Sequence, residues 1–212
     1  MNPAPLNPED FAALTGVSRE TADRLRAYAA LLRQWSARIN LVAPSTIGDV
    51  WRRHFLDSAQ LLPLLPATAD SLVDLGSGAG FPGLVLAIMG APGTTLVEAD
   101  ARKCAFLREA ARLTEAAVTI RHGRIDSLPP RAAAVVTARA LAPLDRLLPW
   151  SERLIGPATV CLFPKGREAG QELAAAQKMW VMDVTTYASR SDPHGVILRL
   201  SRVSRREAVR EG

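Results

Sequence analysis

The stretch "LVDLGSGAGFPGLVLA", Leu72–Ala87, places four glycines within eight residues: Gly76, Gly78, Gly80 and Gly83. A short apolar run precedes them and a helix-compatible apolar segment follows. Gly78, Gly80 and Gly83 alone satisfy G-x-G-x-x-G, in the strand–loop–helix setting that a nucleotide loop requires. Glycine is suited to such a loop because it accepts positive φ and lets backbone approach a ligand. Glu98 lies twenty residues beyond Gly78, at the end of the next apolar run, where an acid that holds a ribose belongs. A nicotinamide-dependent oxidoreductase fits this much. Asp74 points elsewhere. At the carboxyl end of a strand it is expected to face the ligand crevice, where it repels a pyrophosphate and attracts an ammonium or a sulfonium. S-adenosylmethionine carries both cations and a ribose. D-x-G-x-G-x-G therefore favours methyl transfer over hydride transfer, with Asp74, Gly76, Gly78 and Glu98 as candidate cofactor residues.

Outward from this loop, apolar runs alternate with helical patterns. The strand candidates are Leu72–Leu75, Thr95–Val97, Val118–Arg121, Ala134–Ala138 and Thr159–Phe163. The helix candidates are Pro82–Met89, Ala101–Leu113, Pro143–Leu154 and Glu168–Lys178. Alternation of this kind predicts right-handed crossovers and a parallel, doubly wound sheet. Met179–Tyr187 and Val196–Val203, separated by the turn-like "SDPHG", predict a closing antiparallel hairpin. Before the loop the chain reads as helical. Leu25, Tyr28, Leu32, Trp35 and Ile39 make one apolar face, and Ser18 is placed to cap its start. A second helix is expected from Ser45 or Thr46, carrying Val50, Trp51, Phe55 and Leu56 and ending before Pro63 and Pro66. The division expected is a helical cap over 1–66 and an α/β Rossmann-like domain over 67–212.

Composition narrows the class. Hydrophobic residues make up 48% of the chain, enough for an extensive core. The net charge is +5, and only Lys103, Lys165 and Lys178 among the 26 basic residues are Lys. Such an Arg bias lends only modest weight to a polyanionic partner. The N-terminus lacks a signal-peptide pattern, and no apolar run is long enough to span a membrane, so a cytoplasmic protein is expected. Cys104 and Cys161 read as free thiols. His54, His122 and His194 lack metal-ligand spacing, so no metal is expected. Between Arg102 and Arg139 eight basic residues face three acidic ones. Arg102, Lys103 and Arg124 near strand ends, Arg53 in the cap and Lys165 after the fifth domain strand are candidate RNA-phosphate contacts. His54 and Asp57, three residues apart, suit a hydrogen bond joining cap to domain at least as well as a substrate contact. The tail "SRVSRREAVREG" is basic and expected to fray.

Six ordered motifs carry a resemblance: "WSARINLVA", "RHFLDS", "DLGSGAGFPGL", "RKCAFLREAA", "VVTARALAPL" and "FPKG". Together they resemble the bacterial small-subunit ribosomal RNA methyltransferase G family, over about Leu25 to Leu200. The resemblance implies a class I S-adenosylmethionine-dependent methyltransferase with a helical N-terminal extension. It implies methylation of N7 of a guanine in the decoding-region loop of 16S rRNA, by a monomer whose partner is that rRNA or the small ribosomal subunit. It further implies that Gly76 and Phe81 line the cofactor site, where Phe81 reads equally as a core residue of the loop, that Glu98 holds the ribose and that Ile125 and Asp126 meet the adenine end. Arg139, in "TARA", is implied to lie beside cofactor and target base in a positioning role, with no general base. One departure is Ala134, where the family often has an acidic residue. Besides the oxidoreductase, a noncatalytic RNA-binding module of ribosome assembly is the remaining alternative.

Overall fold

The computed structural model describes residues 5–206. Seven strands form one sheet in the order β3-β2-β1-β4-β5-β7-β6. They are β1 (Leu72–Leu75), β2 (Thr94–Glu98), β3 (Val118–His122), β4 (Val135–Ala138), β5 (Val160–Lys165), β6 (Trp180–Ala188) and β7 (Val196–Arg205). β1 to β5 pair in parallel, and β7 lies antiparallel to both β5 and β6. β1 starts at the middle of the sheet, and the chain builds outward first through β2 and β3, then through β4 and β5. The switch point therefore lies between β1 and β4, where loops leave the carboxyl ends in opposite directions and open a crevice. All four residues of β4 are buried, as expected for a central parallel strand covered on both faces.

Helices α4 (Gly83–Ile88), α5 (Ala101–Leu113), α6 (Leu144–Ser151) and α7 (Ala169–Ala176) supply the cover. The predicted alternation and the closing hairpin are both present, with ends moved by at most three residues. α5 has the predicted bounds, capped by Asp100 accepting from the backbone N–H groups of Arg102 and Lys103. β7 runs on through Arg205, whose guanidinium pairs with Glu152 and lies over the Trp180 ring. That part of the tail is strand rather than fray; the rest of the tail, from 207 onward, lies outside the described residues.

The N-terminal region adds α1 (Pro8–Thr15) and α2 (Arg19–Ser36). α1 was absent from the sequence reading, yet its local signals are complete. Asn7 accepts from the Asp10 N–H, Pro8 opens the first turn and Gly16 closes it in left-handed conformation. Ser18 caps α2 as expected, and Leu25, Tyr28 and Leu32 are fully buried. The expected second helix is a composite: a 3-10 segment Pro44–Asp49, a π-helical segment Trp51–Leu56, and α3 (Asp57–Ala59). A π turn is wider than an α turn and often marks a functional site. Here it brings Trp51, His54 and Phe55 inward together.

One core joins this region to the sheet. Phe11, Leu25, Tyr28, Leu32 and Phe55 pack with Phe81, Leu84, Leu96 and Phe106. Tyr28 stacks on Phe81 with centroids 5.5 Å apart and meets Phe55 edge-on at 5.3 Å. Each such pair contributes about 1 kcal/mol beyond its burial. Loss of the Phe55 ring alone would cost about 3–5 kcal/mol. The opposite face of the sheet packs Val136, Phe163, Leu198 and Leu200 against Leu144, Leu147 and Leu148.

Candidate functional site

At the switch point a crevice of about 370 Å³ opens over the carboxyl ends of β1, β2 and β3. Gly76, Gly78, Glu98, Ile125, Asp126 and Trp150 are among the residues lining it. Gly78 holds φ +57, and a Cβ built there meets nothing nearer than the Gly76 carbonyl at 3.8 Å. The left-handed backbone and the open space beside it form a cradle that a side chain would enter. Glu98 accepts from the Gly78 N–H and from the Asp100 N–H, each at 2.8 Å. Its carboxylate thereby ties the glycine loop to β2 and keeps lone pairs for hydroxyls in the crevice. Arg124 pairs with Asp126 at 3.0 Å on the exposed rim. Five of the predicted cofactor residues, Gly76, Gly78, Glu98, Ile125 and Asp126, thus meet at one wall. Arg102, far out in solvent beside Asp100, and Lys103, which lines the crevice, flank it.

Two expectations about the cofactor site are corrected. Asp74 does not face the crevice. Its side chain is wholly buried beneath the loop, accepting from the Gly83 N–H at 3.2 Å and the Thr137 hydroxyl at 3.0 Å. Burial raises its carboxyl from 3.8 to about 6, against the lowering effect of those hydrogen bonds. β1 has Asp74 on the face covered by α4, so the carboxylate pins the loop from below rather than meeting a ligand. Gly83 is required by that contact, since a Cβ there would lie 2.6 Å from Asp74 Cβ and 2.5 Å from Leu96. Phe81 is likewise not a wall of the crevice. Its ring is 3% exposed and is enclosed by Tyr28, His54 and Phe55. The Tyr28 hydroxyl donates to the Ala79 carbonyl, so this loop is seated on the N-terminal helices.

A second cavity, of about 500 Å³, adjoins the first and shares Ala140 and Leu141 with it. Arg139, at the end of β4, lies in its wall. Its guanidinium donates to the Arg53 carbonyl at 3.0 Å, to His54 Nδ1 at 2.9 Å and to Asp57 Oδ2 at 3.3 Å. It also lies 5.1 Å above the Phe81 ring. The π-helical segment and the first residue of α3 therefore grip the arginine together. Since Nδ1 accepts from Arg139, the His54 proton sits on Nε2, 2.8 Å from the Thr46 hydroxyl. Burial, then the adjacent Arg139 and Arg53 charges, lower His54 to about 3, so it stays neutral. Sequence reasoning saw His54 and Asp57 as a pair joining cap to domain. It missed that their common partner is Arg139. Ser189, Ser191, Asp192 and Gly195, in or beside the "SDPHG" stretch read only as a turn, also line this cavity; a carboxylate and two serines in a loop longer than a tight hairpin needs were the available signal.

Lys165 is corrected as a phosphate contact. Its side chain is only 9% exposed, pairs with Glu172 at 2.7 Å and donates to the Ala142 carbonyl at 2.8 Å. Glu172 also accepts from the Leu144 N–H at 2.9 Å, so this pair fastens α7 to the start of α6. Arg53 is half exposed and 3.6 Å from Asp192. Among the described residues no helix is long and apolar enough to cross a membrane.

The fold is similar to that of solved methyltransferases. Ribosomal protein L11 methylase of Lactobacillus delbrueckii subsp. bulgaricus superposes with a TM-score of 0.56 at 18% identity, covering 68% of this chain and 78% of that one. A TehB-like S-adenosylmethionine-dependent methyltransferase of Corynebacterium glutamicum gives 0.55 at 13% identity, covering 85% and 98%. The fold is thus the one that class I methyltransferases have. Within that class, the family model described as rRNA small subunit methyltransferase G matches residues 21–194. Ribosomal RNA small subunit methyltransferase G of Paramagnetospirillum magneticum is 57% identical over 203 residues, 96% of this chain and 99% of that protein. Its counterpart in Rhodospirillum centenum is 56% identical over 205 residues, 96% and 95% of the two chains. The chain belongs to the rRNA small subunit methyltransferase G family, and it is an S-adenosylmethionine-dependent methyltransferase of small-subunit rRNA.

Proposed function

We propose that this enzyme methylates N7 of a guanine in the decoding-region loop of 16S rRNA, acting as a cytoplasmic monomer. The observation that carries this reading is the junction of the two cavities at Ala140 and Leu141, with Arg139 held beside it. When bound in the first cavity, S-adenosylmethionine supplies a methyl group on a sulfonium. Gly76 and Gly78 lie where backbone meets its methionine portion, Glu98 takes the ribose hydroxyls, and Ile125 with Asp126 meets the adenine. The second cavity takes the target base. Guanine N7 carries a lone pair and no proton, so the chain needs no general base. His54, the imidazole beside the junction, has Nδ1 occupied by Arg139 and is a poor proton acceptor at neutral pH. What the protein supplies is alignment, worth up to about 7–11 kcal/mol when reacting atoms are held in line. Arg139 positions the base edge. Arg53, Arg102, Lys103 and Arg124 contact phosphates. Incubation with labelled cofactor and unmethylated small subunits, followed by mapping of the product, tests this. Chain cleavage after reduction, specific to N7-methylguanine, is expected at one decoding-region nucleotide. A label on another base or atom would overturn the assignment.

A further inference from the structure

Three carboxylates line the second cavity: Asp57, Glu172 and Asp192. Two are engaged. Asp57 Oδ1 accepts from the Ser191 hydroxyl at 2.5 Å and Gln60 Nε2 at 3.2 Å, and Oδ2 faces Arg139. Glu172 Oε2 takes both Lys165 and the Leu144 N–H. Asp192 differs. Its Oδ1 accepts from the His194 N–H at 2.9 Å, whereas Oδ2 has Arg53 at 3.6 Å, beyond hydrogen-bond length.

The loop that carries Asp192 is fixed in place. The Ser189 hydroxyl accepts from the Ser191 and Asp192 N–H groups at 3.2 Å each. The Arg190 N–H donates to Gln60 Oε1 at 2.7 Å, and Ser191 is tied to Asp57. Asp192 also lines a third cavity, of about 570 Å³, together with Arg52, Arg53, Arg167 and His194. The second and third cavities meet at Arg53, Ser191 and Asp192.

A guanine whose N7 faces the shared wall at Ala140 and Leu141 carries N1–H and N2–H2 donors on its far edge. Methylation at N7 makes the ring cationic and strengthens both donors, while no proton leaves the base. A carboxylate accepting from them binds the transition state better than the ground state. Adenine in the same pose sets an acceptor, N1, against the carboxylate, which is repulsive.

We infer that Asp192 reads the target guanine, its Oδ2 accepting from N1–H and N2–H2 of the base in the second cavity, while Arg53 and Arg167 take the nucleotide's phosphate. This rests on guanine N7 being the target. The test uses the full chain and small-subunit rRNA carrying either guanosine or inosine, which lacks the 2-amino group, at the mapped nucleotide. The wild-type enzyme prefers guanosine by about 10- to 100-fold in kcat/KM, the value of a hydrogen bond to a charged group. Asp192→Asn keeps an oxygen for the His194 N–H and so preserves the loop. It methylates guanosine about 10- to 100-fold more slowly and loses most of the preference over inosine, with thermal midpoint and cofactor affinity unchanged. N7 methylation by Asp192→Asn with the wild-type preference intact overturns the inference alone. Methylation at another atom overturns the reading beneath it. Arg167→Ala weakens RNA binding and reduces the slope of log affinity against log salt by about 0.7 to 0.9; an unchanged slope removes Arg167 from the phosphate site.

Discussion

The two cavities share a wall but are made by different means. The first cavity is built around the backbone of Gly76 and Gly78, in a loop held by the Glu98 carboxylate from above and the Asp74 carboxylate from below, with the ends of β2, β3 and β4 around it. The second cavity is assembled from side chains of four separated segments: the π-helical turn with Asp57 after it, the end of β4, the end of β5 with α7, and the β6–β7 loop. The first imposes constraints on which residues can exist at given positions. The second imposes constraints on which charges must find one another. A glycine substitution and a charge substitution should accordingly damage the enzyme in different ways.

The largest effect is expected from Gly78→Val. A β-branched residue at φ +57 is a backbone outlier and places its methyls in the crevice. Methylation should fall by at least about 100-fold, the cost of misplacing a reacting group by an ångström. Calorimetric titration should show cofactor affinity lost and RNA affinity kept. Normal turnover by a folded Gly78→Val protein would show that the loop merely turns the chain.

Arg139→Ala comes next. Turnover should fall by about 10- to 100-fold as a charge-assisted contact is lost. Stability should fall by about 1–3 kcal/mol, because His54 Nδ1 and Asp57 lose their donor in a partly buried site. His54→Asn, which can offer an amide oxygen in place of Nδ1, should recover much more activity than His54→Ala. Equal activity of the two His54 variants would mean that the imidazole does not orient the arginine. With His54 at about 3, the wild-type pH profile should carry no inflection from this residue above about pH 4.

Asp74→Asn should have the smallest effect, and it sharpens the contrast because Asp74 serves the loop without touching the crevice. Its folded pKa, about 6, lies above the ordinary value of 3.8. The folded protein thus retains a proton that the unfolded chain releases. The stability so gained is fully present below about pH 4 and is lost as pH rises through about 6, a change of about 2–3 kcal/mol. Asparagine cannot ionise, and it can accept from the Gly83 N–H while donating to Thr137. Urea unfolding at pH 4 and pH 8 should show a smaller fall in stability for the variant than for the wild type. The same fall in both would remove Asp74 from the protonation balance.

The legibility of the sequence followed the same division. The strand–loop–helix around Gly78, the place of Glu98 and the alternation after Ser71 all follow from local chemistry, and each has its counterpart in the structure. Asp74 shows where local reasoning stops. The pattern placed it at a strand end near a ligand, but two-residue periodicity does not say which face of a doubly covered strand is the crevice. Lys165 failed for a related reason, because its partner Glu172 comes from a helix whose docking no local pattern reports. α1 was missed although its cap, proline and terminal glycine are all present, since an eight-residue helix offers little periodicity. The π turn at Trp51–Leu56 has no separate sequence signature, yet it sets the grip on Arg139.

Phe81 belongs to the glycine loop, and its ring lies beneath the Arg139 guanidinium and against the His54 ring, 4.9 Å away. The backbone that borders one cavity and the cation that borders the other therefore bear on a single aromatic plate. A shift in either ligand site must tilt that plate or leave it still, with little room between, because it is packed on all sides. A ligand in one cavity that displaced this ring would be felt at the other. Whatever free energy RNA lends to cofactor retention, the cofactor must return to RNA in equal measure. Any coupling between the two cavities would run through a side chain that neither of them exposes.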